Sequence, residues 1–297
     1  MRIDKFVQPH GSPKRVAVAC AEGFEVLSAL NDAAALGMIE PVLIGNAREI
    51  RRLIAENDFR LNDCEIVDMP DHAAAAKEAV AMARRGKVQA LMKGVLVSAI
   101  LMREILNKET GIRSSSTLNH VSLIDSPGLD RLLLMSDGGM VPYPTLKQKV
   151  DIINNTVEVA RAIGIETPKV ACLGALELVN PDMPATMDAA ALAIMSQRGQ
   201  IKNCIVDGPF QLDNALYPEA VREKGVKSSV NVAGNADILL VPNIESGNIL
   251  LKGLRYLGGC AIAGLMAGAA VPVIMSSRAD PPVNKLRSIG FAIAAAK

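Results

Sequence analysis

Residues 15–45 read RVAVACAEGFEVLSALNDAAALGMIEPVLIG. The stretch opens on an apolar run, Arg15–Cys20, passes through a helical pattern over Glu25–Leu36, and closes on a second apolar run, Pro41–Gly45. Neither run alternates polar with apolar residues. Each therefore reads as a strand buried on both faces, as in a parallel sheet covered by helices. The rhythm continues with a helix over Ala47–Glu56, a strand at Cys64–Met69, a helix over Ala73–Arg84, a strand at Val88–Met92 and a helix around Ser98–Leu106. Such alternation predicts an α/β architecture with right-handed crossovers.

After this helix the rhythm breaks. His120–Asp125 and Arg131–Asp137 are two strand-like runs separated by Ser126-Pro127-Gly128-Leu129-Asp130. Pro-Gly is a strong turn signal, so the pair reads as an antiparallel hairpin and marks a lobe boundary. Alternation then resumes: a helix over Leu146–Ile163, strand Lys169–Gly174, helix Ala185–Gln197, strand Asn203–Asp207, helix Tyr217–Glu223, strand Ala236–Val241 and helix Gly247–Ala267. A last strand, Pro272–Ser276, and a helix over Val283–Ala296 complete the chain. The expected division is a first lobe of residues 1–118 plus 266–297 and a second of 119–265. A chain of 297 residues suits two such lobes.

Composition narrows the function classes. Lys plus Arg number 32 against 31 Asp plus Glu, without a basic run, which argues against a nucleic-acid partner. Aromatics are only 3% and Trp is absent, so a base-stacking platform is missing too. The five cysteines, Cys20, Cys64, Cys172, Cys204 and Cys260, are odd in number and widely spaced. They suggest neither a disulfide framework nor a zinc site, and read as small buried residues in a reducing cytosol. Leu257–Met275 is nearly free of polar side chains but is cut by glycines and Pro272. It reads as a buried helix end, a turn and a buried strand, not a membrane span, so the expectation is a soluble cytoplasmic chain.

No G-x-G-x-x-G follows a strand, and there is no G-x-x-x-x-G-K-[ST], G-x-S-x-G or H-E-x-x-H. The three histidines, His10, His72 and His120, have no suggestive partner nearby in sequence. In parallel sheets ligands sit beyond the carboxyl ends of strands, so those ends are the places to look. They carry Lys93-Gly94, Asp207-Gly208-Pro209, Glu245-Ser246-Gly247-Asn248 and Ser277-Arg278-Ala279-Asp280. Ser246 reads as a helix N-cap or an anion contact. Ser277-Arg278 offers a hydroxyl beside a fixed positive charge. Asp280 before Pro281 fits a helix N-cap. Arg103 lies on an otherwise apolar helix and fits either a cation snorkelling to solvent or a ligand contact. Asp137-Gly138-Gly139-Met140 fits punctuation after the hairpin.

Taken in order, these segments resemble the phosphate acetyl/butyryltransferase family. The match is carried by Leu91-Met92-Lys93-Gly94, Asp137-Gly138-Gly139-Met140, Pro144-Thr145-Leu146-Lys147-Gln148-Lys149, Asp207-Gly208-Pro209 with Asp213-Asn214-Ala215, Ala236–Pro242, Ser246-Gly247-Asn248 and Ser277-Arg278-Ala279-Asp280. The Lys93-Gly94 and Asp207-Gly208-Pro209 versions look more like butyryltransferases than acetyltransferases.

The resemblance implies two α/β/α lobes with a cleft between them, as in isocitrate/isopropylmalate dehydrogenases. It implies a homo-oligomer, dimer or higher, and no tightly bound cofactor or metal. Acyl-CoA and inorganic phosphate would be the substrates, with CoA and acyl phosphate as products. Carried over position by position, Ser277 would bond the acyl carbonyl and its oxyanion, and Arg278 and Arg103 would hold the phosphoryl group. Ser98 and Lys93-Gly94 would sit with the phosphate, and Asp207, Asn214, Ser246, Gly247 and Asn248 would contact substrate. The family often places a thiol base seven residues after the serine; here that residue is Asn284. The base is therefore open between Asp280 and no side chain. A phosphate acetyltransferase, a decarboxylating dehydrogenase on the same fold, and a non-catalytic CoA- or acyl-phosphate-binding module are the alternatives. The dehydrogenase would need grouped aspartates for a metal, and no helix or loop of the sequence supplies them.

Overall fold

The computed structural model describes residues 1–275 and 280–296. After a short 3-10 helix, Arg2–Phe6, come β1 (Lys14–Ala19), α1 (Phe24–Ala35), β2 (Ile39–Gly45), α2 (Ala47–Glu56), β3 (Glu65–Asp68), α3 (His72–Arg84), β4 (Ala90–Lys93) and α4 (Ser98–Leu106). The hairpin strands β5 (Asn119–Asp125) and β6 (Leu132–Ser136) follow, then α5 (Leu146–Ala162), β7 (Lys169–Leu173), α6 (Pro184–Gln197), β8 (Ile205–Phe210), α7 (Leu212–Leu216), α8 (Pro218–Lys224), β9 (Ile238–Leu240) and α9 (Ile244–Tyr256). The chain closes with β10 (Ala261–Ala267), β11 (Val273–Ile274) and α10 (Pro282–Ala295). It forms two compact units, Met1–Ser114 with Ile262–Lys297, and Ser115–Ala261. The sequence reading placed the two crossings at 118/119 and 265/266.

In the first unit the strands run in the order β3-β2-β1-β4-β11-β10. The pairs among β1 to β4 are parallel, as is β11 with β4, while β10 meets β11 antiparallel. Val16 to Ala19 of β1 have no solvent exposure, so helices must cover both faces of the strand. α3 turns Ala75, Ala76, Ala79 and Ala83 inward, and these small side chains let its backbone come close to the sheet. Asn46 and Asp71 cap α2 and α3 with their side chains. α10 packs in this unit, where Arg287 Nε donates to Asp4 Oδ1 at 2.7 Å and holds the Asp4 carboxyl below its ordinary range.

In the second unit the order is β5-β6-β9-β7-β8. β5 and β6 form the expected antiparallel hairpin, and the remaining pairs are parallel. A polar network is sealed inside. Asn119 Nδ2 donates to Ser136 Oγ (2.7 Å) and Thr156 Oγ1 (3.1 Å), and Asn119 Oδ1 accepts from Asn155 Nδ2 (2.9 Å). Asn155 Nδ2 also reaches the Thr117 carbonyl at 2.8 Å. The network joins β5, β6 and α5, and Asn119 is fully buried.

Two expectations are corrected. The helix read over Gly247–Ala267 ends at Tyr256, and Ala261–Ala267 is a strand. Gly258 and Gly259 intervene, the latter at φ +64°, and small uncharged residues beyond them enter the sheet. Nor is the end of that helix buried, since Leu257 is 91% exposed. The single helix read over Tyr217–Glu223 is preceded by α7 and begins at Pro218, whose missing N–H suits a first helical position. Among the described residues no helix is long and apolar enough to cross a membrane.

Replacing Asn119 with Ala removes one hydrogen bond each from the Asn155 amide, the Ser136 hydroxyl and the Thr156 hydroxyl inside the core. The expected cost is about 1–3 kcal/mol of unfolding free energy, read as a lower midpoint in urea; an unchanged midpoint would show that the network does not hold the hairpin to α5.

Candidate functional site

The carboxyl ends of β1 and β4 meet in the first unit. Gly94 N–H donates to the Ala19 carbonyl (2.8 Å) and Val95 N–H to the Cys20 carbonyl (2.9 Å). A Cβ at Gly94 would lie 1.8 Å from the Cys20 oxygen, so only glycine fits. Lys93 is buried, and its Nζ donates to the Gly94 (3.0 Å) and Leu96 (3.2 Å) carbonyls, which folds the loop around the charge. α4 follows directly. Its N-cap is Val97, whose side chain makes no cap, and the neighbouring Ser98 is exposed. An uncapped helix start near a lysine suits an anion. Arg103, further along α4, is exposed.

Asp280 is half-buried and its carbonyl accepts from Lys285 Nζ. It is not the N-cap of α10, as the sequence suggested. Pro281 takes that place with ψ 156°, because each of two successive prolines holds the residue before it extended and the helix cannot start before Pro282. Asn284 Oδ1 accepts from Arg287 at 3.3 Å. Ser277 and Arg278 lie outside the described residues.

In the second unit the ends of β6 and β9 converge. The Asp137 carboxylate accepts N–H groups from His120 (3.2 Å), Gly139 (2.9 Å), Met140 (3.1 Å) and Val141 (2.9 Å). Burial pushes this carboxyl up while those N–H groups pull it down. The Asp137-Gly138-Gly139-Met140 motif is therefore a turn wrapped around its own aspartate. α9 begins against it: a Cβ at Gly247 would lie 2.9 Å from Gly138 Cα and 3.0 Å from the Asp137 oxygen, and Asn248 Nδ2 donates to the Gly138 carbonyl at 3.1 Å. Ser246 is not the cap of α9. Asn243 is, accepting the Ser246 N–H at 3.0 Å, and the Ser246 hydroxyl is turned back to the Asn243 carbonyl at the same distance. Asn243 follows Pro242 in extended conformation, which starts the helix at Ile244.

Asp207 accepts Gly208 N–H (2.9 Å) and the Ser228 hydroxyl (2.5 Å). Asn214 is fully buried and neither atom of its amide has a hydrogen-bond partner among the described residues, so a direct substrate contact there requires its cover to move. The Pro144–Lys149 motif resolves into a capping box, with Thr145 and Gln148 exchanging backbone N–H groups, and a buried Lys149 paired to Asp188 at 2.8 Å. Burial pushes the thiols of Cys20 and Cys172 up to about 12 and that of Cys204 to about 11, so none of these serves as a ready nucleophile.

Sequence reasoning did not find Asn243, the role of Asp137, or one further constellation. Cys20, Glu22 and His72 place their donor atoms within 4.8 Å of one another. The first two stand beyond β1 and the third opens α3. No spacing rule covers a mixed set drawn from such distant positions.

Comparison with known proteins bears on the whole arrangement. Residues 71–293 match the model of the family described as phosphate acetyl/butaryl transferase. A phosphate butyryltransferase of Clostridium acetobutylicum is 46% identical over 279 residues, covering 94% of this chain and 92% of the relative. A phosphate acetyltransferase of Thermotoga maritima is 44% identical over 292 residues, 98% of each chain. Among solved structures, a branched-chain phosphotransacylase from Enterococcus faecalis superposes with a TM-score of 0.84 at 31% identity, covering 95% of this chain and 98% of that one.

The contact between Gly247 and the Asp137-Gly138 turn can be tested against an internal control. A Gly247→Ala variant should lose about 1–3 kcal/mol of stability, because backbone must move. Gly253→Ala in the same helix meets nothing within 4 Å and should gain about 0.5–1 kcal/mol. Equal shifts in urea midpoint would refute the close approach.

Proposed function

The chain belongs to the phosphate acetyl/butaryl transferase family, and from that premise we propose that it transfers a short acyl group, butyryl foremost, between coenzyme A and inorganic phosphate: acyl-CoA plus phosphate gives acyl phosphate plus CoA. The observation that carries this reading is the 46% identity with a phosphate butyryltransferase over 94% of the chain. The 44% identity with a phosphate acetyltransferase over 98% of the chain favours acetyl as the second reading.

In the forward direction a phosphate oxygen attacks the thioester carbonyl. The new C–O bond leaves a tetrahedral oxyanion, which the Ser277 hydroxyl stabilises. The intermediate collapses, the C–S bond breaks, and CoA leaves as a thiolate that takes up a proton. Arg278 and Arg103 hold the phosphoryl oxygens, for which a guanidinium fork suits the geometry. Lys93, Ser98 and the start of α4 extend that anion site. In the second unit Asp207, Ser246, Gly247 and Asn248 shape the substrate surface, with Asn214 beneath it. In the reverse direction the CoA thiol loses its proton to Asp280 or to substrate phosphate and solvent. Neither an acyl-enzyme nor a redox cofactor enters this balance, and coenzyme A is a substrate.

The reading extends to a cytoplasmic homo-oligomer, a dimer or higher. The five free cysteines fit a reducing compartment. α9 buries only Gly247 and exposes Ile249, Tyr256 and, just beyond it, Leu257, an apolar surface of the kind subunits cover.

Phosphate-dependent release of CoA from acetyl-, propionyl- and butyryl-CoA tests the assignment directly, with kcat/KM for butyryl-CoA expected at least about tenfold above that for acetyl-CoA. No release with any of the three would sink it, and a preference for acetyl-CoA would select the second reading. An Arg278→Ala variant should lose at least about 100-fold in kcat/KM; full activity with CoA still bound would instead mean that Arg278 takes no part in the chemistry.

A further inference from the structure

We propose that Cys20, Glu22 and His72 form a binding site for one zinc ion in the first unit. Nothing in this proposal depends on the acyl-transfer reading. The donor atoms, a thiol sulfur, a carboxylate oxygen and an imidazole nitrogen, all lie within 4.8 Å of one another. The backbone brings them together by visible means. Cys20 ends the β1 run in the left-handed region, at φ +58°, a conformation costly for a residue with a Cβ. The chain then turns tightly, with Ala21 N–H bonded to the Ile44 carbonyl and Gly23 N–H to the Ala21 carbonyl, which returns Glu22 toward the strand ends. The Glu22 carboxylate occupies the space a side chain at residue 45 would take: a Cβ on Gly45 would lie 2.0 Å from Glu22 Oε2. His72 approaches as the first residue of α3, set by the Asp71 cap, with its ring partly open to solvent.

Glu22 Oε2 is buried and has no hydrogen-bond partner among the described residues. A carboxylate oxygen in that position is expensive unless something positive satisfies it. His72 Nε2 stands 3.8 Å from Glu22 Oε1, too far for a hydrogen bond. It is close to the separation of about 3.3–3.7 Å that two donors keep across a tetrahedral ion with bonds of about 2.0–2.3 Å. A small inward movement of the partly exposed ring completes the geometry.

The donor set selects the metal. Magnesium and calcium take oxygen ligands, whereas a thiolate with an imidazole and a carboxylate suits zinc. Three protein ligands leave the fourth position to water. On binding, the ion displaces the proton of Cys20, so the thiolate and Glu22 balance its two positive charges. Because the Cys20 carbonyl also holds Val95 N–H, an ion there would stiffen the loop that carries Lys93 and Gly94.

The test is metal uptake by the full-length protein. After equilibrium dialysis against zinc, elemental analysis should find one equivalent per chain, and cobalt(II) at the same site should show a thiolate-to-cobalt charge-transfer band. Cys20→Ala and His72→Ala should each weaken zinc binding at least about tenfold, while Cys64→Ala should not. The exposed position of His72 makes its variant a safe probe should Cys20→Ala fail to fold. Absence of stoichiometric uptake, a cobalt spectrum without the thiolate band, or undiminished uptake by either variant would overturn the proposal.

Discussion

The structure depends on strands that show no polar side to anything. Val16 to Ala19 in β1 and Ala90 to Met92 in β4 have no exposed surface. A strand of that kind is stable only between two layers of helix, and its apolar side chains can do no chemistry. Polar work is therefore displaced to the strand ends, where Cys20, Lys93 and Gly94 stand in the first unit and Asp137 and Pro242-Asn243 in the second. The candidate site follows from burial, because burial leaves it nowhere else to be.

At those ends the motifs serve the backbone first. Gly94 permits the approach to the Cys20 carbonyl, and Gly138 and Gly247 permit the approach of α9 to the β6 turn. Asp137 gives its carboxylate to three N–H groups of its own turn and to that of His120 on β5. Lys93 gives two donors to carbonyls of its own loop. A short sequence motif shared across a family thus encodes the shape of a loop as much as contact with a ligand. Ser98 and Arg103 of α4, by contrast, are exposed.

The sequence made the parallel sheets and the hairpin legible, because both are written in local signals. Apolar runs without alternation gave the strands, and Pro127-Gly128 gave the turn between β5 and β6. Leu257–Met275 misled, since small apolar residues suit a buried helix and a buried strand equally, and only pairing with β11 decides. Residue type alone makes Ser246 a cap or an anion contact and Asp280 a cap, but extended Asn243 in one case and a second proline in the other move the helix start. The Asn119 network and the Cys20, Glu22 and His72 cluster were illegible for a different reason: each joins residues from distant parts of the chain, and a single sequence carries no trace of such contacts.

The place of the missing carboxylate at Asn284 can be weighed by magnitude. The thiol that reacts belongs to coenzyme A, since burial raises the chain's own Cys20, Cys172 and Cys204 thiols to between about 11 and about 12. A free thiol with a pKa of about 8.5 is roughly 3% ionised at neutral pH. Complete deprotonation by a base would therefore gain at most about 30-fold, or about 2 kcal/mol. A single oxyanion contact is worth about 2.7–4 kcal/mol, and phosphate must be gripped as well. With the roles proposed for Ser277, Arg278 and Arg103, charge stabilisation would outweigh the proton acceptor. On that reading, an asparagine at this position, here bonded to Arg287, would cost at most about 30-fold in rate, provided the groups that hold phosphate and oxyanion stay in place.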